Sequence, residues 1–179
     1  MKARHLQLLA KNKCEAAESL PVHGGAVRDA RRTAMNLLAR REHSTHELKR
    51  KLKVRGMEGI VVDQALATLQ EERLLSDERF VEMLVHSRIG KGHGPLRIQA
   101  ELREHGVSDE LIASAVASEI DGNDTQWHDR IKAVRQKRFG ASLPGNINER
   151  AKQMRFLQYR GFTSEQIRAV LKPCEDDDL

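Results

Sequence analysis

The chain has 179 residues, of which 3% are aromatic and 32% charged, and a formal net charge of +5. A mixture so poor in aromatics and so rich in Ala, Leu, Glu, Arg and Lys favours helices over a sheet sandwich, and no apolar run approaches the roughly 20 residues of a membrane span. The charge is unevenly placed, with fourteen basic and six acidic residues in 1–60, six and thirteen in 61–125, and eleven and seven in 126–179. Two basic regions suit a polyanion and an acidic centre suits a different surface, the plainer alternative being ordinary solvated helix faces.

The first residues, MKARHLQLLAKNK, carry a short apolar stretch broken by Gln7 and no small-residue cleavage site. No secretory signal is read there, and a cytoplasmic protein is expected. Residues 1–27 lack periodicity and are expected to form a mobile tail. Cys14 and Cys174 stand near opposite ends and give neither a disulfide framework nor a CxxC pair.

Beyond the tail, the chain repeats itself. LKRKLKVRGMEGIVVDQALATL, IQAELREHGVSDELIASAVASE and QMRFLQYRGFTSEQIRAVLK align without gaps on Gly56, Gly106 and Gly161, with Leu52, Leu102 and Leu157 four residues before them. A glycine just past a helix end takes the left-handed conformation freely, and the apolar residue after it packs back on that leucine. Each repeat therefore holds a helix, a glycine stop and a further helix.

Taken in chain order, the first module (28–75) begins with a helix over 29–42 and continues with an S-x-x-E capping box, Ser44 to Glu47. Glu58 and Gly59 stand where a cap belongs after its glycine, which predicts a different turn there. The second module (76–122) opens at Asp77 with Phe80 three residues on, a capped start with an aromatic anchor. Its middle helix starts at Gly94-Pro95, with Ile98 and Leu102 on the core side, and Ser108 caps the next. The third (123–174) opens at Asp124 with Trp127, passes through the loop GASLPGNIN, restarts at Asn148 before Glu149, and has a T-x-x-Q box at Thr163 to Gln166. The closing helices carry matching apolar stripes, Val62, Ala65 and Leu66, then Ile112, Ala115 and Val116, then Ile167, Val170 and Leu171.

Three helices in each of three modules predict an all-α fold of nine helices, an elongated, curved array spanning on the order of 60 Å. Residues 175–179 form an acidic tail that would either solubilise the end or compete with DNA for the third module's basic face.

LLARREHSTHELKRKLKVRG, ALATLQEERLLSDERFVEMLVHSR and GPLRIQAELREHGV resemble the successive signatures of the RecX family, regulators of the RecA recombinase, and the likeness runs from about Arg31 to Leu171. The resemblance implies tandem three-helix repeats and no catalysis. It also implies binding to the RecA filament on single-stranded DNA, along its helical groove, with inhibition of ATP hydrolysis, strand exchange and coprotease activity by limiting filament extension or stability.

Two basic clusters are the candidate contacts: Arg40, Arg41, Arg50, Lys51, Lys53 and Arg55 around the first module's middle helix, and Arg130, Lys132, Arg135, Lys137, Arg138, Arg155 and Arg160 in the third. Such faces gather phosphate through counterion release and carry no sequence readout. Arg79 and Arg88 flank the first helix of module two, and Arg97 follows Gly94-Pro95. Arg88 and Arg97 suit either a partner carboxylate or the C-terminal end of a neighbouring helix.

GKGHGP, residues 90–95, lacks phosphate-loop spacing and reads as a linker. His43, His46 and Glu47 are explained by helix capping rather than by a metal. Trp127 and Tyr159 read as core rather than as base-stacking platforms. No motif specifies a reaction, cofactor, small-molecule substrate or membrane contact.

The leading expectation is a non-enzymatic filament regulator with weak, salt-sensitive DNA contact, its acidic second module docking on basic protein surface. The alternative is a helix-turn-helix DNA binder. Against that alternative, the helices after Gly56 and Gly106 hold no basic residue over 61–69 or 111–117, and the last holds only Arg168 and Lys172. An enzyme with a site hidden between modules is a third, lesser possibility.

Overall fold

The repeat glycines set the architecture: Gly56, Gly106 and Gly161 sit at φ +81°, +70° and +88°. In each case the glycine N–H donates three residues back and the next N–H five residues back, as in Met57 to Leu52, Val107 to Leu102 and Phe162 to Leu157, the paired bonds of a Schellman stop. The turn at Gly56 is therefore the same as the other two. The expectation of a different turn is corrected, and only the side-chain cap is missing there, because Glu58 makes no cap hydrogen bond.

A computed structural model describes residues 24–118 and 124–172. The readings that concern residues 1–23, Cys14, Cys174 and the acidic tail lie outside the described residues. Among the described residues the regular elements are helices and none is a strand: α1 Gly24–Leu38, α2 Thr45–Val54, α3 Gly59–Glu71, α4 Asp77–Gly90, α5 Pro95–Glu104, α6 Asp109–Val116, α7 Asp124–Phe139, α8 Ile147–Tyr159 and α9 Ser164–Leu171. They form two compact units that divide between residues 75 and 76.

In the first unit, α1 lies against α3 through small residues, Ala30 and Ala34 facing Val61, Val62 and Ala65, while Leu48, Leu52, Leu66, Leu69 and Leu75 complete the core. Helix α1 starts earlier than the 29–42 reading, because Val27 already packs on Ala30 and Val61. It also stops earlier, at Leu38, because Ser44 caps α2 from an extended backbone at φ −73° and ψ 153° and accepts from the Glu47 N–H. Arg40 and Arg41 thus stand on a connecting turn rather than on a helix.

The second unit joins modules two and three around one apolar cluster that runs from Phe80, Leu84, Ile98 and Leu102 to Trp127, Ile131, Leu157, Phe162 and Ile167. Phe80 meets His105 edge-on at 5.1 Å, and Trp127 meets Phe162 at 6.2 Å. The caps at Gly94-Pro95, Ser108 and Thr163–Gln166 form as read. Two others move: Ser76 rather than Asp77 caps α4, and Asn146 rather than Asn148 caps α8, because each accepts the N–H three residues on and leaves its neighbour inside the first turn.

The two modules are clasped backbone to backbone. The Gly94 N–H donates to the Arg160 carbonyl at 2.8 Å and the Leu96 N–H to the Gly161 carbonyl at 3.0 Å. A Cβ on Gly94 would lie 2.5 Å from the Phe162 nitrogen, and one on Gly161 would lie 2.5 Å from the Arg97 nitrogen. The linker reading of GKGHGP is thus incomplete, since this segment is the joint at which the start of α5 meets the end of α8.

Candidate functional site

The exposed cations sort by what holds them. Around α2, Arg41 and Lys51 converge on Glu47, which is itself 4% exposed. Arg41 reaches it at 2.5 and 3.1 Å and Lys51 at 2.8 Å, with His43 Nδ1 at 3.3 Å. These two cations neutralise a buried carboxylate, whereas Arg40, Arg50 and Lys53 are exposed and have no ion-pair partner among the described residues. Arg55 donates to the Lys51 carbonyl at 3.1 Å, and Lys49 pairs with Asp63 at 2.6 Å. Arg50 and Lys53, with His46, Lys49 and the exposed Val54, line a depression on this face.

Burial holds the His43 imidazole below its ordinary 6.5, with the Arg41 and Lys51 charges adding to the effect against the pull of Glu47. Burial would raise the Glu47 carboxyl, but hydrogen bonds from Arg41 and Lys51 outweigh it and hold the group at about 2. Both groups bind protons more readily in the unfolded chain, so their stabilisation is complete above the unfolded values and is lost as pH falls through the folded ones. The unit ending at Leu75 should therefore weaken below about pH 6.5 and more steeply between 4.5 and 2. The Glu47 share is about 3 kcal/mol. Helix content against pH checks this: Glu47→Gln should flatten the acid limb, and an unchanged limb would contradict the assignment.

In the second unit Arg88 grips Glu101 through two hydrogen bonds, one of them at 2.7 Å, which raises the guanidinium and lowers the carboxyl from their ordinary values. Arg97 donates to the Tyr159 carbonyl at 3.3 Å and lies 5.3 Å over its ring. Arg97 takes a helix end, one of the two uses expected for these arginines, whereas Arg88 takes a carboxylate inside its own chain, which neither expected use gave. Arg79 is half-buried beside the Ser76 cap.

Trp127 is core, but Tyr159 is exposed, a correction that follows from its place at the last residue of α8 with Arg97 over its ring. Arg135 leaves the basic face altogether. It is 2% exposed and donates to the Ala141 and Ser142 carbonyls at 2.8 and 2.9 Å and to Gln153 Oε1 at 3.3 Å, so that it pins the 140–146 loop. Lys132, Lys137, Arg138 and Arg155 remain exposed.

Arg130, Lys137, Arg138 and Arg160 come together on one cleft with Lys91 and His93, two residues that the linker reading of GKGHGP had passed over. Their signal in the sequence was the glycine on each side of them, which lets this turn approach α7: a Cβ on Gly92 would lie 2.7 Å from the Val134 side chain.

The repeated helix, glycine stop and helix define a tandem three-helix-module protein whose distinctive chemistry is cationic. The chain belongs to the RecX family: it matches the family's first three-helix domain over 30–69, the second over 76–116 and the third over 124–171. A regulatory protein RecX of Halorhodospira halophila is 44% identical over 153 residues, covering 86% of this chain and 91% of that one. One from Pseudomonas putida strain GB-1 is 42% identical over 149 residues, covering 83% and 92%. The crystal structure of RecX from Lactobacillus salivarius superposes with a TM-score of 0.70 at 18% identity, over 82% of this chain and 95% of the other, a likeness of fold. Among the described residues no helix is long and apolar enough to cross a membrane.

Proposed function

We propose that this protein is a non-enzymatic regulator of the RecA recombinase that binds the RecA filament on single-stranded DNA. In this reading it lies in the filament groove and inhibits ATP hydrolysis, strand exchange and coprotease activity by limiting filament extension or stability. The observation that carries the reading is the match to all three RecX domains in order. Cytoplasmic location follows from the partner, and direct contact with DNA is weak and salt-sensitive because the available cations gather phosphate without reading bases.

The exposed cations Arg40, Arg50 and Lys53 are the first-module contacts with phosphate or acidic filament surface, and the acidic second module meets basic protein. Arg41 and Lys51 are assigned instead to holding Glu47. Reversing Arg40, Arg50 and Lys53 to Glu should raise the concentration needed to inhibit the recombinase by about tenfold or more, with the fold intact. Inhibition unchanged in a folded triple variant would remove these cations from the interface.

A further inference from the structure

The cleft between the turn after α4 and the helices α7 and α8 encloses about 450 Å³, within the size range of small-ligand sites. Among the described residues, five cations line it, namely Lys91, Arg130, Lys137, Arg138 and Arg160, and no carboxylate does. Its walls also include Ile89, Val134, Phe156 and Phe162, so an apolar body fits beside the charge.

Two of the cations are held in place before any ligand arrives. Arg160 donates to the Lys91 carbonyl at 2.9 Å and lies 5.3 Å over the Phe156 ring, and Arg130 lies 5.2 Å over Trp127. Trp127 lines the same cleft, is 1% exposed, and its buried Nε1 has no hydrogen-bond partner among the described residues. An indole N–H can only donate, so what it lacks is an acceptor. His93 Nδ1, also buried against the cleft, is likewise unpartnered.

Like charges gathered at one cavity repel one another unless an anion joins them. A single carboxylate would answer one charge among Lys91, Lys137, Arg138 and Arg160 and leave the apolar wall unused. A phosphate ester offers more charge and several acceptor oxygens, and a nucleobase offers a flat apolar body. We propose that this cleft binds a nucleotide, with its phosphate among Lys91, Lys137, Arg138 and Arg160 and its base against the apolar wall. The source is either a free nucleotide or an unstacked nucleotide of a single strand. This site is independent of the recombinase reading, and its test contains no recombinase.

Trp127 is the chain's one tryptophan, so its emission reports the site directly. The full-length protein is titrated with thymidine 5′-monophosphate, thymidine, inorganic phosphate and a twelve-residue oligothymidylate, with calorimetry alongside. The nucleotide should change Trp127 emission saturably and bind at least about tenfold more tightly than thymidine or phosphate. Lys137→Glu with Arg138→Glu, both at exposed positions, should weaken it at least about tenfold. Binding of the monophosphate alone supports a free-nucleotide site, and oligothymidylate binding that the monophosphate displaces supports a strand site. No response to either ligand at millimolar concentration overturns the proposal. So does binding unchanged by the double reversal, equal binding of inorganic phosphate, or preferential binding of an aspartate-rich peptide.

Discussion

Gly161→Ala should lower the stability of the unit that begins at Ser76 by about 3 kcal/mol, against about 1–2 kcal/mol for Gly56→Ala at the matching place in the first module. The two glycines share their left-handed backbone, at φ +88° and +81°, so the cost of placing an L residue there is common to both. Their surroundings differ. A Cβ at Gly56 meets nothing within 4 Å, whereas one at Gly161 runs into the Arg97 backbone, and relieving that clash would pull Gly94 and Leu96 off the carbonyls to which they donate. Urea unfolding followed through Trp127 reports this unit alone. The Gly161 variant should shift its midpoint well below that of the parent, and the Gly56 variant should leave it in place. A loss at Gly161 of no more than about 1–2 kcal/mol, the cost expected of the left-handed backbone alone, would mean that the clasp between modules two and three adds nothing.

Arg135→Ala should cost about 3 kcal/mol, the loss expected for a buried charged donor with several acceptors. The Ala141 and Ser142 carbonyls would lose their partner and the 140–146 loop its tether. Lys137→Ala, two residues along α7 and exposed, should change stability by no more than about 0.5 kcal/mol. The same unfolding measurement separates the two, and a stable Arg135 variant with weakened polyanion binding would return Arg135 to the surface.

What could be read from the sequence and what could not divide by range. Glycine stops, caps and apolar stripes are local, and Leu52, Leu102, Leu157, Phe80, Ile98 and Trp127 lie buried as their spacing implies. Even Arg135 carried a local signal, since Trp127, Ile131 and Arg135 recur every fourth residue and so share the buried face of α7. Its charge concealed a position that its spacing disclosed. Glu47 is similar, next to Leu48 on the inner side of α2, which is why Arg41 and Lys51 turn inward to it rather than outward to a partner.

Other features have no local sign. The clasp joins Gly94 to Arg160, sixty-six residues apart, and Lys91 reaches the third module's cations only because that clasp brings its turn against α7. Arg73 is a different exception. It ends α3 at φ 58° with no glycine to mark the stop, Leu74 donating back to the Leu69 carbonyl at 2.8 Å.

Single-strand-dependent ATP hydrolysis by the cognate recombinase, titrated with this protein, tests the central claim most directly. Hydrolysis should fall at fewer than one chain per recombinase, under salt conditions in which the protein binds bare DNA only weakly. Hydrolysis unchanged at stoichiometric excess, together with tight and sequence-dependent binding to DNA alone, would contradict it.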